Sequence, residues 1–231
     1  MTSSGNVPRH IGYILDGNRR WAKANGLPTY EGHLAGYNAL QDVIDATAEA
    51  GVEFISFYTF STQNWSRAKE EVNGIMSLIR RLFKTDIKAL AKKGYKIVVL
   101  GSTEHVPDDI VEMMRAAEEM SASGERATLA VCFNYGGQEE IVRAAKKLVE
   151  QGVPAGEITM ESFARAIDQP SVPPCDLIVR TSGEQRLSDF MLWRSAYSEF
   201  LFLEKFWPEM TKEDVTAILE EYSRRGRRFG G

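Results

Sequence analysis

The stretch HIGYILDGNRRW, residues 10–21, decides how the rest of the chain reads. Its first half is an apolar run rich in β-branched and aromatic residues, and it reads as a buried strand. The run stops at Asp16-Gly17-Asn18, residues that tolerate the backbone angles of a turn. A turn alone accounts for the glycine and the asparagine. It does not account for Arg19 and Arg20 beside the Asp16 carboxylate at a strand's C-terminal end, where open α/β sheets bind ligands.

Outward from this stretch, strand-like and helix-like patterns alternate. Further strands are expected at 52–60, 95–101, 127–134, 176–181 and 199–203, and helices at 33–50, 69–93, 107–123, 138–151, 159–168 and 211–224. Strands separated by helices of this length pair in parallel through right-handed crossovers. The chain is therefore expected to form one α/β domain over 1–231, with a central, mostly parallel sheet flanked by helices. A flexible tail is expected at 1–8. The Pro-rich QPSVPPC, 169–175, reads as a loop rather than a linker. In the helix at 69–93, Val72, Ile75, Met76, Ile79, Leu82, Phe83, Ile87 and Leu90 form one apolar face. That face either packs on the sheet or lines a greasy tunnel, and periodicity does not separate the two.

Composition narrows the function. Lys and Arg number 28 against 32 Asp and Glu, a net charge of -4, so there is no general basic field and nucleic acid is not an expected partner. No apolar run approaches the roughly 18 residues needed to span a bilayer. The opening MTSSGNVPRH has no signal-peptide core. Cys132 and Cys175 lie in no CxxC pattern, and the expectation is a reduced, cytoplasmic protein without structural metal. Neither a GxxxxGK[ST] loop nor a GxGxxG after the first strand is present, which argues against nucleotide and dinucleotide sites.

Four segments follow strands and carry unusual chemistry: DGNRRW, then STQNWSR at 61–67, NYGGQ at 134–138, and RTSGEQRLS at 180–188. Parallel strands bring these ends to one sheet edge. Arg20, Arg67, Arg180 and Arg186 can converge there, and guanidinium forks with glycine-rich turns suit phosphate oxygens. Single arginines are usually solvated or paired to nearby acids. Four after strand ends, beside an isolated aspartate, favour a diphosphate ligand with Mg²⁺ held at Asp16.

The blocks HIGYILDGNRRWAKANG, Gly32-His33, FYTFSTQNWSR, NYGG, DLIVRTSGEQRLSDFMLW, AYSE and the terminal RRFGG together resemble the cis-prenyltransferase family, in family order and over nearly the whole chain. The resemblance implies an α/β fold with an apolar tunnel and a homodimer. It also implies Mg²⁺-dependent condensation of isopentenyl diphosphate with an allylic diphosphate such as farnesyl diphosphate. The product would be a (Z)-polyprenyl diphosphate of undecaprenyl length or shorter. By this likeness Asp16 is catalytic and metal-linked, and Glu199 is a second metal-linked carboxylate. Gly17, Asn18, Arg19, Arg20 and Trp21 would cradle the allylic diphosphate with Thr29 and His33. Asn64 would assist proton removal, with Ser61, Thr62, Gln63, Trp65 and Arg67 around it. Arg180, Arg186, Leu187 and Ser188 would hold isopentenyl diphosphate. Arg228 and Gly230, in a tail at 224–231, would reach the partner subunit's site.

Three positions depart from the family pattern. Thr29 stands where many relatives carry Arg, Gln63 where Glu is common, and Ala68 where Pro is common. A lipid product also implies transient membrane contact, though no amphipathic anchor is evident. An all-helical trans-prenyl synthase is disfavoured: its paired aspartate-rich motifs have only DDIVE, 108–112, as a candidate, and acids at a helix start are explained by the helix dipole.

Overall fold

The apolar runs become six strands: β1 (His10–Ile14), β2 (Phe54–Ser61), β3 (Tyr95–Leu100), β4 (Ala127–Tyr135), β5 (Leu177–Arg180) and β6 (Glu199–Phe202). The structure is a computed structural model and describes residues 7–225. Every strand pairing is parallel, in the order β3-β4-β2-β1-β5-β6. β1 is buried along its whole length, which is why its sequence is continuously apolar rather than alternating. One sheet face packs on a core containing Leu40, Val43, Phe57, Ile79 and Trp207; the other packs on Cys132, Tyr135, Ile178 and Phe190.

Among the described residues eight α-helices flank the sheet: α1 (Asn18–Ala24), α2 (Thr29–Glu49), α3 (Lys69–Arg81), α4 (Ile87–Lys92), α5 (Asp108–Ser121), α6 (Gly137–Glu150), α7 (Met160–Ala166) and α8 (Lys212–Arg224). Two features differ from the sequence expectation. DGNRRW is not a loop, because α1 begins directly after Gly17. The helix expected over 69–93 is α3 and α4 joined by a π-helical turn, Leu82–Asp86. The wider turn accommodates an extra residue while Leu82, Phe83, Ile87 and Leu90 all stay buried.

The β5–β6 crossover, residues 181–198, contains no helix, in keeping with the sequence expectation of none between 176–181 and 199–203. Its backbone is left-handed at Ser182, Ser188, Asp189 and Met191, with φ of 75°, 48°, 66° and 49°. Non-glycine residues adopt that region only when their surroundings impose it. The expected tails fall mostly beyond the described residues. Arg228 and Gly230 lie outside them altogether.

His10, at the start of β1, is fully buried, with Nε2 2.7 Å from Ser56 Oγ and Nδ1 2.9 Å from the Pro173 carbonyl. Burial disfavours its charged form and lowers its pKa to about 4. Below the ordinary histidine pKa the unfolded chain therefore binds a proton that the folded chain refuses, and stability falls with pH through that window. From pH 7 to pH 5 this one group is expected to cost about 2 kcal/mol. Urea denaturation at the two pH values should show that loss, and His10→Gln should reduce it.

Candidate active site

Asp16 ends β1 at the rim of the sheet, and its neighbours fix it there. Gly17 has φ 105°, and a Cβ at that position would lie 2.8 Å from Phe206 Cδ1 and 2.9 Å from Ser182 Cβ. Only glycine lets the strand turn at once into α1. Thr181 Oγ1 donates to the Asp16 carbonyl at 2.6 Å and accepts the Asp16 N–H at 3.1 Å. α2 presses against α1 so closely that a Cβ on Gly32 would stand 2.1 Å from the Asn18 carbonyl oxygen.

Two cavities meet at Asp16. The larger, about 740 Å³, is lined by Asp16, Asn18, His33, Ser61, Gln63, Asn64, Arg67, Arg180 and Ser188 among the expected residues. The other, about 680 Å³, is lined by Asp16, Gly17, Asn18, Arg19, Arg20, Thr29, His33 and Arg67. Gln138, from NYGGQ, joins these walls, as do Lys23 and Asp189, which had not been given a site role in the sequence.

Charge is concentrated at the junction. Asp16 Oδ2 accepts from Arg180 Nη2 at 2.8 Å, and Oδ1 accepts the Gly17 N–H at 2.7 Å with Arg20 Nη2 at 3.5 Å. Burial opposes ionisation of Asp16, but the Arg180 and Arg20 guanidiniums outweigh it and hold the carboxyl below its ordinary range. Arg180 also donates to Ser188 Oγ at 2.8 Å and to the Arg186 carbonyl. Its Nε is buried without a partner among the described residues, a donor left for a ligand or water. Arg20 donates to Ser182 and pairs with Glu184, which also holds Arg186. Burial lowers the His33 pKa, with Glu71 opposing that effect.

The turn Thr62–Ser66 is locked by Asn64, whose Oδ1 accepts the Ser61 N–H at 3.1 Å. Its amide Nδ2 has no protein partner among the described residues. A carboxamide is a hydrogen-bonding group, not a base, so Asn64 can orient a substrate but cannot itself take up a proton.

Several expected residues stand elsewhere. Trp65 donates to Asn134 Oδ1 at 2.8 Å and packs on Phe60; with Thr62 it lines a separate hollow of about 450 Å³. Trp21 is half-buried and lines neither cavity. Leu187 packs against the core cluster around Phe190. Arg186 is an exposed rim residue.

Glu199 stands apart from the Asp16 cluster within one chain. It opens β6 in register with Leu177, whereas Phe202 is level with Arg180 and Ile14. Glu199 is thus about 10 Å back along the strands from the Asp16 end and pairs with Arg225 at 3.4 Å. Carboxylates sharing an ion sit within about 5 Å of each other, so one chain does not bring Asp16 and Glu199 to a common metal.

The apolar stripe of α3 and the π-helical turn packs in the core and also borders a small slot. Val72, Met76 and Phe83 are buried in the core. Ile75, Leu78, Ile79 and Leu82 line an apolar slot of about 70 Å³ with Tyr37, Leu40 and Trp207. The slot shares Leu15, Asn18, His33, Thr59 and Ile75 with the larger cavity. A narrower gap of about 10 Å³ continues it between Phe57, Leu82 and Leu129.

An open parallel α/β sheet whose strand ends carry a cation-rimmed, two-chambered cleft backed by an apolar slot defines a protein for amphiphilic anions. The comparisons then fix the family. Residues 14–230 match the family model described as putative undecaprenyl diphosphate synthase, and the chain belongs to this prenyltransferase family. It is 41% identical to the isoprenyl transferase of Thermotoga maritima over 97% of each chain. Lavandulyl diphosphate synthase from Lavandula x intermedia, solved in complex with dimethylallyl diphosphate, superposes with a TM-score of 0.93 at 30% identity, covering 97% of this chain and 99% of that one. A probable undecaprenyl diphosphate synthase from Campylobacter jejuni gives 0.83 at 27% identity, covering 98% and 100%.

Proposed function

We propose that the protein is a Mg²⁺-dependent (Z)-prenyltransferase that condenses isopentenyl diphosphate with an allylic diphosphate. The observation that carries this reading is the position of Asp16, between two cation-lined chambers and in front of an apolar slot. Two diphosphates need two such chambers, and a prenyl tail needs the slot.

The chamber of Arg19, Arg20 and His33 would take the allylic diphosphate. That of Arg180, Ser188 and Asn64 would take the isopentenyl one. The allylic C–O bond breaks as a C–C bond forms to the isopentenyl double bond; diphosphate leaves, and the proton that the isopentenyl unit gives up passes to an oxygen of that diphosphate. Guanidinium forks stabilise the charge that develops on the leaving oxygens. Asn64 orients the isopentenyl unit, and the apolar slot keeps water from the electron-poor allyl carbon.

The donor set fits magnesium. Among the described residues no group of three His, Cys, Asp or Glu side chains could cage an ion. One carboxylate beside phosphate oxygens and waters is how Mg²⁺ is commonly held, and there it supplies positive charge to the leaving group.

The homodimer belongs to the same reading. Val142 and Val149, two turns apart on one face of α6, are 52% and 74% exposed, and a second copy would cover them. No helix among the described residues is long and apolar enough to cross a membrane; the reading places the enzyme in the cytoplasm, touching membrane only to release product.

Incubation with labelled isopentenyl diphosphate and dimethylallyl, geranyl, farnesyl or geranylgeranyl diphosphate tests the assignment. Chain-extended products with cis double bonds are expected from at least one primer. No extension from any of them would overturn it.

A further inference from the structure

Glu71, on the first turn of α3, is a largely buried charged group of this region that the proposed chemistry leaves unused. Its side chain is only 10% exposed, and three groups of the cavity walls turn to it. Arg67 Nη1 lies 2.9 Å away, His33 Nε2 3.2 Å and Arg19 Nη1 3.8 Å. A carboxylate only accepts, so His33 donates from Nε2. An acid placed solely to suit the helix dipole would be solvated, as the neighbouring Glu70 is.

Arg19, Arg67 and His33 all line the 680 Å³ chamber. Among the described residues neither arginine has another acidic partner within ion-pair distance. The forks that a bound diphosphate would recruit are therefore already directed at a carboxylate standing behind the chamber wall.

We propose that Glu71 is an internal competitor of the substrate: it tethers Arg19, Arg67 and His33 in the free enzyme, and a diphosphate binds by drawing them away. This rests on the diphosphate reading of the chamber. Apparent affinity is reduced by the fraction of molecules whose cations are tethered. That reduction has a use, because the lengthened product carries the same head group and must leave; binding it too tightly would slow turnover at release.

Inorganic pyrophosphate titrated into wild type and Glu71→Gln by calorimetry tests the idea. Glutamine keeps the size and one acceptor but removes the charge. The variant is expected to bind pyrophosphate about tenfold more tightly while melting at a lower temperature, since its cations lose their resident partner. If Glu71 instead positions the cations for substrate, the variant binds more weakly. Equal or weaker binding by the variant, with wild type binding normally, overturns the competitor and leaves the diphosphate site standing. Failure of both proteins to bind overturns the site reading and the competitor with it. Should the variant not fold, hydrogen exchange in wild type decides. Pyrophosphate is expected to speed exchange at residues 72–76 as the first turn of α3 loses its anchor, and unchanged or slower exchange overturns the proposal.

Discussion

Replacing Asp16 with asparagine is expected to lower kcat about a thousandfold while leaving the fold intact. A thousandfold corresponds to about 4 kcal/mol of transition-state stabilisation, within the range seen when one charged or hydrogen-bonding partner of a developing anion is removed. Asparagine still offers Arg180 an acceptor, so the 2.8 Å contact survives in neutral form and the buried guanidinium keeps Ser188 and the Arg186 carbonyl. Thr181 binds the Asp16 backbone, not its carboxylate, and is undisturbed. What disappears is the negative charge at the meeting point of the two chambers. Because Arg180 and Arg20 hold that carboxyl below its ordinary range, it is ionised at every pH where the enzyme works. No acid limb of the pH–rate profile near neutrality should therefore belong to it. Chelating magnesium should reduce wild type to about the rate of the variant and do little more to the variant itself, since groups acting as a unit are not additive. An Asp16→Asn enzyme retaining half its kcat, or losing a further large factor on chelation, would show that the carboxylate does not carry the metal.

How far the sequence revealed this site follows from what each residue is coupled to. The strands were legible because their burial is written in continuous apolar runs such as HIGYI and LIVR. Asp16, Arg20, Asn64 and Arg180 were legible because a polar cluster directly after such a run has few structural explanations. Glu71 was not: KEEV at the head of an amphipathic helix looks like dipole compensation, and only the fold brings His33 and Arg19 to it, across 38 and 52 positions of chain, to join the nearby Arg67. Thr181 and Asp189 were hidden for a related reason. Asp189 accepts the Gln138 N–H at 2.8 Å, so its role depends on how the crossover folds back onto α6. The separation of Glu199 from Asp16 within one chain was not legible because likeness of motif carries no register; the strand pairing sets that distance. α1 was missed since its seven residues are too few for periodicity to show, and Asp-Gly-Asn is equally good turn chemistry.

The helix-free β5–β6 crossover leads to the largest expected stability effect. Arg194 lies inside the protein, its side chain 1% exposed, with Nη1 2.6 Å from Glu140 Oε1 on α6. Nη2 donates to the Asp168 carbonyl, Nε reaches the Val172 carbonyl at 3.3 Å, and Tyr135 donates to Glu140 Oε2 at 2.6 Å. One guanidinium thus ties the crossover to α6 and to the loop before β5. It stands where three left-handed residues, Ser188, Asp189 and Met191, need an external constraint. Arg194→Ala removes that constraint and leaves the Glu140 carboxylate buried without its counter-ion, a change that costs about 3–5 kcal/mol in comparable sites. Against a typical domain stability of about 5–15 kcal/mol, the variant should lose a large share of its stability. Urea denaturation measures this directly, and a loss below about 1 kcal/mol would refute the role. Pairing the change with Glu140→Leu removes the orphaned charge, so the double variant should recover a large part of the loss. What it should not recover is the geometry at the rim. Ser188 and the Arg186 carbonyl hold Arg180 from within the same crossover, so the folded double variant is expected to show a raised KM for isopentenyl diphosphate even though most of its stability has returned.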